Sequence, residues 1–229
     1  MLSSLRTRWR FAVTIPRLRT VTVDGVRLDV DGLAPLMKNR LYEGRYEVQE
    51  RALCRRFLSA HDQVLEVGAA LGFLGLWCRR HLGVTTWHHV EANPDTAARL
   101  ERCYRLNGHT PRLTVAALAA GDGTAHFDTT GDFWCHGLSK GQGGVAVTAL
   151  GQASLLARTL PAPTALVVDI EGGEIHLDPR SLPASIKVLV IELHPDRVGP
   201  LAISALRILL AEAGFKEAAE DGGTVAMVR

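Results

Sequence analysis

The residues best suited to chemistry begin with a carboxylate that ends a predicted strand and precedes a glycine-rich turn. Residues 65–72 read Leu-Glu-Val-Gly-Ala-Ala-Leu-Gly, so that Glu66 precedes Gly68 and Gly72. Gly68 lets the backbone approach a ligand without a Cβ clash, and Gly72 allows the next helix to pack tightly. The N-terminus of that helix offers unpaired N–H groups. This pattern predicts a nucleotide-type cofactor site; the alternative is an ordinary strand, turn and helix.

A second carboxylate, Glu91, follows the next predicted strand in the segment Val-Glu-Ala-Asn-Pro at 90–94. A carboxylate in this position can accept both hydroxyls of a ribose. The acidic-first pattern E-x-G-x-x-x-G differs from the G-x-G-x-x-G of NAD-binding folds. It suits S-adenosylmethionine, whose ammonium would meet Glu66 and whose ribose would meet Glu91. The alternative for Glu91 is a favourable charge at the N-terminus of the helix predicted at 95–107.

Three more carboxylates lie within the segment Val-Asp-Ile-Glu-Gly-Gly-Glu at 168–174, directly after an apolar strand. We expect Asp169 to face the cofactor cleft, and Glu171 and Glu174 to lie on the following turn. Such a group can orient a substrate hydroxyl, act as a base, or hold a divalent cation such as Mg²⁺ together with Glu192. Helix capping and solvation are the alternative roles.

Histidine 194 follows Glu192 at the end of the fifth predicted strand. The ordinary pKa of a histidine suits proton transfer near pH 7, and Glu192 could orient His194 or pair with a cation. Trp134 and His136 belong to a glycine-rich segment, 131–144, which we expect to form a loop over the site. A structural role is the alternative for both histidines.

Alternating strand and helix patterns predict how these residues are positioned. Apolar runs of four to six residues, separated by helices, are typical of an α/β fold with a mostly parallel sheet covered on both faces. The predicted strands are 64–67, 85–90, 113–118, 165–170, 187–193 and 225–228, and the predicted helices are 72–82, 95–107, 152–159 and 200–213. A β-hairpin at 20–30 and a helical stretch at 34–60 precede them. We expect an N-terminal arm, hairpin and helix, 1–60, packed on a cofactor-binding domain, 61–229.

Composition narrows the class of protein. The chain has 229 residues, 47% of them hydrophobic, and a net charge of +2. No apolar run reaches the ~18 residues that a membrane-spanning helix needs. Four scattered cysteines without a C-x-x-C pair indicate reduced thiols and a cytoplasmic protein. The sequence contains no zinc-type Cys/His cluster, P-loop lysine or G-x-S-x-G motif, and its basic residues do not follow a nucleic-acid-binding pattern.

Together these segments resemble the FkbM family of S-adenosylmethionine-dependent methyltransferases. The matching pieces lie within residues 42–195 and are 44–47 (Gly-Arg-Tyr-Glu), 65–73, 90–94, Leu100, Asn107, 168–174 and 190–195. The resemblance implies a class I methyltransferase fold, Rossmann-like and doubly wound around seven strands. It also implies methyl transfer to oxygen, often a hydroxyl of a sugar or natural product. Family members usually carry Asp in place of Glu66 and Asn in place of Ala70.

The predicted site combines these segments. The expected cofactor-binding residues are Tyr46, Glu66, Gly68, Ala70, Gly72, Glu91, Ala92, Asn93, Ala117, Leu118 and Asp169. The expected catalytic residues are Asp169, His194 and Glu171, and the expected substrate-binding residues are Trp134, His136 and Glu174. A small-molecule or glycan acceptor is the expected partner, and nucleic acid is not. A non-catalytic cofactor-binding module, a Mg²⁺-dependent methyltransferase and a NAD-type oxidoreductase are the alternatives.

Overall fold

A computed structural model describes residues 14–128, 137–138 and 144–229. The strands are β1 (Thr20–Val23), β2 (Val26–Asp29), β3 (Gln63–Val67), β4 (Thr86–Glu91), β5 (Arg112–Val115), β6 (Ala117–Leu118), β7 (Gly123–Asp128), β8 (Gly137–Leu138), β9 (Val145–Leu150), β10 (Ala165–Val168), β11 (Val188–Glu192), β12 (Lys216–Asp221) and β13 (Thr224–Val228). The α-helices are α1 (Ile15–Arg17), α2 (Pro35–Tyr42), α3 (Val48–Phe57), α4 (Phe73–Leu82), α5 (Pro94–Leu106), α6 (Gln152–Arg158), α7 (Pro195–Val198) and α8 (Pro200–Glu212). Short 3-10 helices occupy Gly173–His176 and Pro179–Ser181.

Seven strands form the central sheet, in the order β12-β13-β11-β10-β3-β4-β5. The five strands from β11 to β5 are parallel, and β13 runs antiparallel to both of its neighbours. From β3 the chain winds outward through β4 and β5, and it then returns to the other side of β3 to form β10. The winding direction therefore reverses between β3 and β10, and open α/β sheets bind ligands beside such a reversal, at the carboxyl ends of the strands.

Strand β10 is entirely apolar and β3 is apolar except for Gln63 and Glu66, because both faces of the sheet are covered. Their side chains are buried almost throughout, and two core clusters lie on opposite faces of the sheet. Val64 belongs to the cluster that also contains the β1–β2 hairpin and residues of α2 and α3, whereas Leu65 and Val67 belong to the other. The N-terminal elements thus share a hydrophobic core with the central sheet.

Helices α4 and α5 begin at turns that the sequence specifies. Gly72 precedes α4 with a φ of 68°, a left-handed conformation that favours glycine. The Asn93 side chain caps α5 by accepting a hydrogen bond from the N–H of Asp95, and Pro94 occupies the first helical position. Each helix therefore follows a strand through a short turn, and both turns lie at the carboxyl ends of the parallel strands.

The mostly parallel, seven-stranded α/β sheet predicted from the sequence is confirmed, as is the hairpin around Asp24 and Gly25. Three details differ. The helical stretch 34–60 is two helices separated by a turn at 43–47. The predicted strand 113–118 is divided between β5 in the central sheet and β6 in a second sheet of order β6-β9-β7-β8. Strand β12, which is largely exposed and rich in charge, was not predicted.

Within the described residues, no helix combines the length and the apolar character that crossing a bilayer demands.

Candidate active site

A cavity of about 280 Å³ opens at the carboxyl ends of the parallel strands, beside the reversal between β3 and β10. The turn after β3, the end of β4, the segment after β10 and the turn between α2 and α3 all contribute to its wall. The lining residues are Met37, Arg40, Arg45, Tyr46, Glu47, Gln49, Glu50, Val67, Gly68, Ala70, Val90, Glu91, Ala92, Ala116, Ala117, Leu118, Phe127, Asp169, Ile170, Glu171, Gly173 and Glu192. Eight of the eleven predicted cofactor residues are among them.

Gly68 is required where the ends of β3 and β10 meet. A Cβ at this position would lie 1.7 Å from the carbonyl oxygen of Asp169, and the φ of Gly68 is 91°. Any side chain would therefore push the two strand ends apart. Gly72 has a packing role, because its Cβ would lie 2.8 Å from the Leu100 side chain of α5. Gly72 itself does not line the cavity.

Glu91 is the most tightly positioned carboxylate of the cavity. It is 7% exposed, and its two oxygens accept hydrogen bonds from different backbone N–H groups, Ala70 at 2.9 Å and Asn93 at 2.8 Å. Burial raises the pKa of Glu91 to about 7, although these hydrogen bonds lower it. The Ala92 backbone N–H also interacts with this carboxylate and lowers its pKa. A carboxylate has about four lone-pair sites, so Glu91 keeps acceptor capacity toward the cavity. This geometry suits a pair of neighbouring hydroxyls.

An apolar wall lies beside Glu91. Ala92, Ala117 and Leu118 line this side of the cavity together with Val90, Ala116 and Phe127. These residues lie at the ends of β4 and β5, in β6 and in β7, so both sheets contribute to the wall. A planar aromatic base would fit against such a surface. Asn93 does not line the cavity, and its side chain caps α5.

Glu66 does not line the cavity, although the sequence predicts that it meets the cofactor's ammonium. It is 3% exposed, and its Oε2 accepts a hydrogen bond from Trp87 Nε1 at 2.8 Å and lies 2.6 Å from His89 Nδ1. His89 Nε2 in turn bonds the Tyr104 hydroxyl. Glu66 shares the Val64 face of β3, so its carboxylate is part of a buried polar network between the sheet and helices α4 and α5.

Tyr46 and Glu47 approach the cavity from the turn before α3. Their side chains are hydrogen-bonded to each other. The Oε2 atom of Glu47 is buried without a hydrogen-bond partner, and the φ of Glu47 is 50°. Tyr46 also packs on Phe73, the first residue of α4, with 5.9 Å between the ring centroids. The N-terminal turn thus contacts the helix that follows the glycine-rich segment.

His194 stands among four carboxylates. Its Nε2 lies 3.7 Å from Asp169, 3.8 Å from Glu171 and 3.9 Å from Glu192, and its Nδ1 lies 3.4 Å from Glu174. Burial alone would lower the pKa of His194, but the adjacent Glu174 carboxylate and the charges of Glu171 and Glu192 raise it above its ordinary value. Burial and the neighbouring Glu192 and Glu50 raise the pKa of Asp169 well above its ordinary range. The ionisation of each group in this cluster therefore depends on the charge state of its neighbours.

Glu174 lies underneath His194 and not in the cavity wall. It is fully buried, and its two oxygens accept hydrogen bonds at 2.8 Å from the backbone N–H groups of Gly172 and His194. This placement suits a residue that orients the imidazole, and it differs from the substrate contact that we expected. Glu171 also faces Arg197, with 3.2 Å between Oε2 and Nη2.

The ligand atoms of Asp169, Glu171 and His194 lie within 4.8 Å of one another, so these residues can also provide ligands for a divalent cation. Glu192, expected as a further ligand, faces His194 from the same side. Trp134 and His136, expected to bind substrate, lie outside the described residues.

Sequence reasoning missed several cavity residues, notably Arg40, Glu47 and Glu50. Glu47 stands in the segment 44–47 that matched the FkbM pattern, and this was the available signal. No sequence pattern separates Arg40 or Glu50 from ordinary charged helix positions.

No protein-family model and no curated protein matches the chain. Solved structures with a similar fold include a ribosomal protein L11 methylase from Lactobacillus delbrueckii subsp. bulgaricus, with 15% identity over 77% of this chain and 72% of that chain and a TM-score of 0.48. A methyltransferase FkbM from Methylobacillus flagellatus KT shares 15% identity over 85% of this chain and 53% of that chain, with a TM-score of 0.47. A precorrin-6y C5,15-methyltransferase from Geobacter metallireducens GS-15 shares 14% identity over 78% of this chain and 85% of that chain, with a TM-score of 0.44. The chain thus spans about half the length of the FkbM structure.

Proposed function

We propose that the protein is an S-adenosylmethionine-dependent methyltransferase of the FkbM type, which methylates a hydroxyl oxygen of a small molecule or glycan. The supporting observation is the polarity of the cavity. Glu91, whose carboxylate keeps acceptor capacity toward the cavity, suits a ribose at one end, and Glu47, Asp169 and Glu192 make the other end acidic. Arg40 and Arg45 also line the cavity, but six carboxyl side chains outnumber these two arginines. That end suits a cofactor with an ammonium and a positively charged sulfur, and it disfavours the pyrophosphate of NAD.

The residues present fit this cofactor. Glu91 would hold the ribose, the wall of Ala92, Ala117 and Leu118 would contact the adenine, and the glycine-rich turn would follow the amino-acid portion. When bound, S-adenosylmethionine supplies a methyl group already activated by the sulfonium, with S-adenosylhomocysteine as the product. The protein then contributes mainly proximity and orientation of the acceptor.

A hydroxyl acceptor must lose a proton, and we assign this role to His194, which does not itself line the cavity. Its Nε2 lies 3.7–3.9 Å from Asp169, Glu171 and Glu192, which do line it. The buried Glu174 carboxylate next to Nδ1 favours the tautomer that carries its proton on Nδ1, which leaves Nε2 free as the base. Asp169 and Glu171 face the same nitrogen, so they can orient the acceptor hydroxyl toward it. Tyr46 covers the cavity from the N-terminal side and helps to exclude water.

We propose that residues 1–60 and 61–229 act as one unit, because the hairpin and α3 share a core with β3. We also assign the reaction to the cytoplasm, since Cys54, Cys78 and Cys103 are free thiols.

The test is ligand-dependent stability of the purified protein with S-adenosylhomocysteine, S-adenosylmethionine or NAD. A ligand that binds only the folded state adds ~2.7 kcal/mol at a hundredfold excess over its dissociation constant. We expect stabilisation by the first two ligands and none by NAD. Transfer of labelled methyl groups to a panel of polyols, sugars and phenols then identifies the acceptor. Stabilisation by NAD alone would assign the cavity to an oxidoreductase, and cofactor binding without transfer to any acceptor would favour a binding module.

A metal-dependent form of this reaction is the second candidate, favoured by the convergence of Asp169, Glu171 and His194. Calorimetric titration of the protein with Mg²⁺ and Mn²⁺, together with transfer assays in EDTA, separates the two forms. Heat of binding that disappears in Asp169→Asn, with activity lost in EDTA, would establish the metal-dependent form. Full activity in EDTA would exclude it.

A further inference from the structure

We propose that Glu47, and not Glu66, provides the carboxylate that binds the ammonium of the amino-acid portion of the cofactor. This proposal rests on the proposed function. It assigns a cofactor-positioning role to a residue of the N-terminal turn, outside the glycine-rich segment.

Glu66 is already engaged where it stands. One of its oxygens is shared by Trp87 Nε1 and His89 Nδ1, and the side chain is 4% exposed. His89 is fully buried, so withdrawing the Glu66 carboxylate toward the cavity would leave two buried ring nitrogens without their partner. Glu66 could therefore bind a ligand only if its hydrogen bonds to Trp87 and His89 were broken.

Glu47, in contrast to Glu66, has a carboxylate oxygen that is available to a ligand. It lines the cavity, and its buried Oε2 has no hydrogen-bond partner. Buried carboxylate oxygens are rarely left unpaired, and one that faces a ligand cavity is best explained by a donor that arrives with the ligand. An ammonium offers three such donors together with the opposite charge.

The backbone holds Glu47 in this orientation. Its φ of 50° is unusual for a residue with a side chain, and such conformations persist where surrounding contacts enforce them. Here Arg51 provides the contacts. Its Nε donates to the Glu47 carbonyl at 3.1 Å and its Nη2 to the Gly44 carbonyl at 2.9 Å. Because the Arg51 Nη1 pairs with Asp24 at 2.5 Å, the guanidinium is largely occupied and does not directly bind the Glu47 carboxylate.

The charges around Glu47 also favour the binding of a cation. Glu66, Glu50 and Asp169 repel a negative charge on Glu47 from β3, α3 and the end of β10. The Tyr46 side chain and the charge of Arg51 oppose this repulsion, and Arg40 and Arg45 also line the cavity. Burial, followed by the charges of Glu66 and Glu50, raises the pKa of Glu47 well above its ordinary value. Arrival of an ammonium would oppose this effect, so binding should favour the ionised carboxylate and release a proton at pH values where the Glu47 carboxyl is protonated in the free protein.

Calorimetry with two ligands tests the assignment. S-adenosylhomocysteine and 5′-methylthioadenosine share the adenosine and the sulfur, but only the first has the ammonium and carboxylate. We expect Glu47→Gln to weaken binding of S-adenosylhomocysteine by about tenfold to a hundredfold, the range for a lost charge-assisted hydrogen bond, and to change 5′-methylthioadenosine binding less than about twofold. A deaminated analogue with a hydroxyl in place of the ammonium should bind both proteins alike.

Glu66→Gln is the matched control, because it neutralises the carboxylate that the sequence pattern favours. We expect it to affect the two ligands equally. A selective loss in Glu66→Gln with none in Glu47→Gln would overturn the proposal. If the wild-type protein binds neither ligand, the proposed function fails as well; if it binds both and Glu47→Gln behaves like wild type, only the assignment of Glu47 fails.

Proton release gives a second measurement that does not depend on how well a variant folds. Titrations of the wild-type protein at a series of pH values, in buffers with different ionisation enthalpies, should show a pH range in which proton release with S-adenosylhomocysteine exceeds that with 5′-methylthioadenosine. Equal release with both ligands at every pH would contradict the assignment, because Glu91 faces the part that the two ligands share.

Discussion

Replacing Glu91 with glutamine should change how the stability of the ligand-free protein depends on pH. Burial raises the pKa of Glu91 from 4.5 to about 7. Each pKa unit corresponds to ~1.36 kcal/mol, so the ionised carboxylate destabilises the fold by about 3 kcal/mol at pH values above 7. Below pH 4.5 the carboxyl is protonated in both the folded and the unfolded state, and this cost is absent. Stability should therefore fall as the pH rises from 4.5 to 7.

Glutamine cannot ionise, so Glu91→Gln removes this pH-dependent contribution. The substitution also has a fixed cost, because its NH₂ group cannot accept the hydrogen bond from Ala70 or from Asn93, which costs about 1–3 kcal/mol at every pH. Urea unfolding of both proteins at pH 4.5 and pH 7.5 separates the two contributions. The unfolding free energy of the variant minus that of wild type should be about 3 kcal/mol larger at pH 7.5 than at pH 4.5.

Two results would refute this reasoning. A difference between wild type and variant that stays constant with pH would mean that Glu91 titrates normally in the folded protein. A variant that binds S-adenosylhomocysteine as tightly as wild type would mean that the free acceptor sites of Glu91 do not contact the ribose. We expect the variant to lose affinity by about tenfold to a hundredfold.

Three further predictions concern other residues. Gly68→Ala should destabilise the fold by about 3 kcal/mol or more, because its Cβ would overlap the Asp169 carbonyl. Gly108→Ala is the control for backbone strain, since Gly108 also has a positive φ but its Cβ would meet nothing within 4 Å. Equal losses of stability for the two variants in urea unfolding would contradict the clash. His194→Asn should lower the rate constant for methyl transfer about 10²- to 10⁴-fold. The wild-type rate should rise with pH through a pKa above the ordinary 6.5, because only neutral His194 accepts a proton. A rate that falls as the pH rises through that range would exclude His194 as the base. Glu66→Ala should cost about 3 kcal/mol in thermal or urea unfolding by leaving Trp87 and His89 unpaired, and unchanged stability would show that the buried network is not needed.

The fold was largely predictable because its signals are local. Apolar runs such as Ala165–Val168 indicate strands that are buried on both faces, and Asp24-Gly25 indicates a tight hairpin. Strand β12 was missed because its residues are mostly exposed and charged, and its position depends on pairing with β13. The break between β5 and β6 was missed because the run 113–118 is continuous in sequence while its two halves pair with different strands.

The site was predictable at the level of which segments meet, but less so at the level of individual side chains. Glu91 and Asp169 were expected to lie close together because each ends a parallel strand, and both line the cavity at the carboxyl ends of those strands. The placement of Glu66 depends on His89 and Trp87, which the spacing of the motif does not identify as partners. Glu47 depends on the Arg51 contacts that fix a left-handed turn, and a sequence pattern does not reveal such contacts.

The acidic end of the cavity links stability to ligand choice. Burial and their mutual repulsion raise the pKa values of Glu47, Asp169 and Glu192, so ionising these groups together destabilises the ligand-free protein. A bound cation would relieve this repulsion, whereas a phosphate would add to it. The charges that lower the stability of the ligand-free protein therefore also favour a positively charged cofactor over a phosphate-containing one. Neutralising Glu47 alone should consequently raise the stability of the ligand-free protein while it lowers the affinity for S-adenosylhomocysteine.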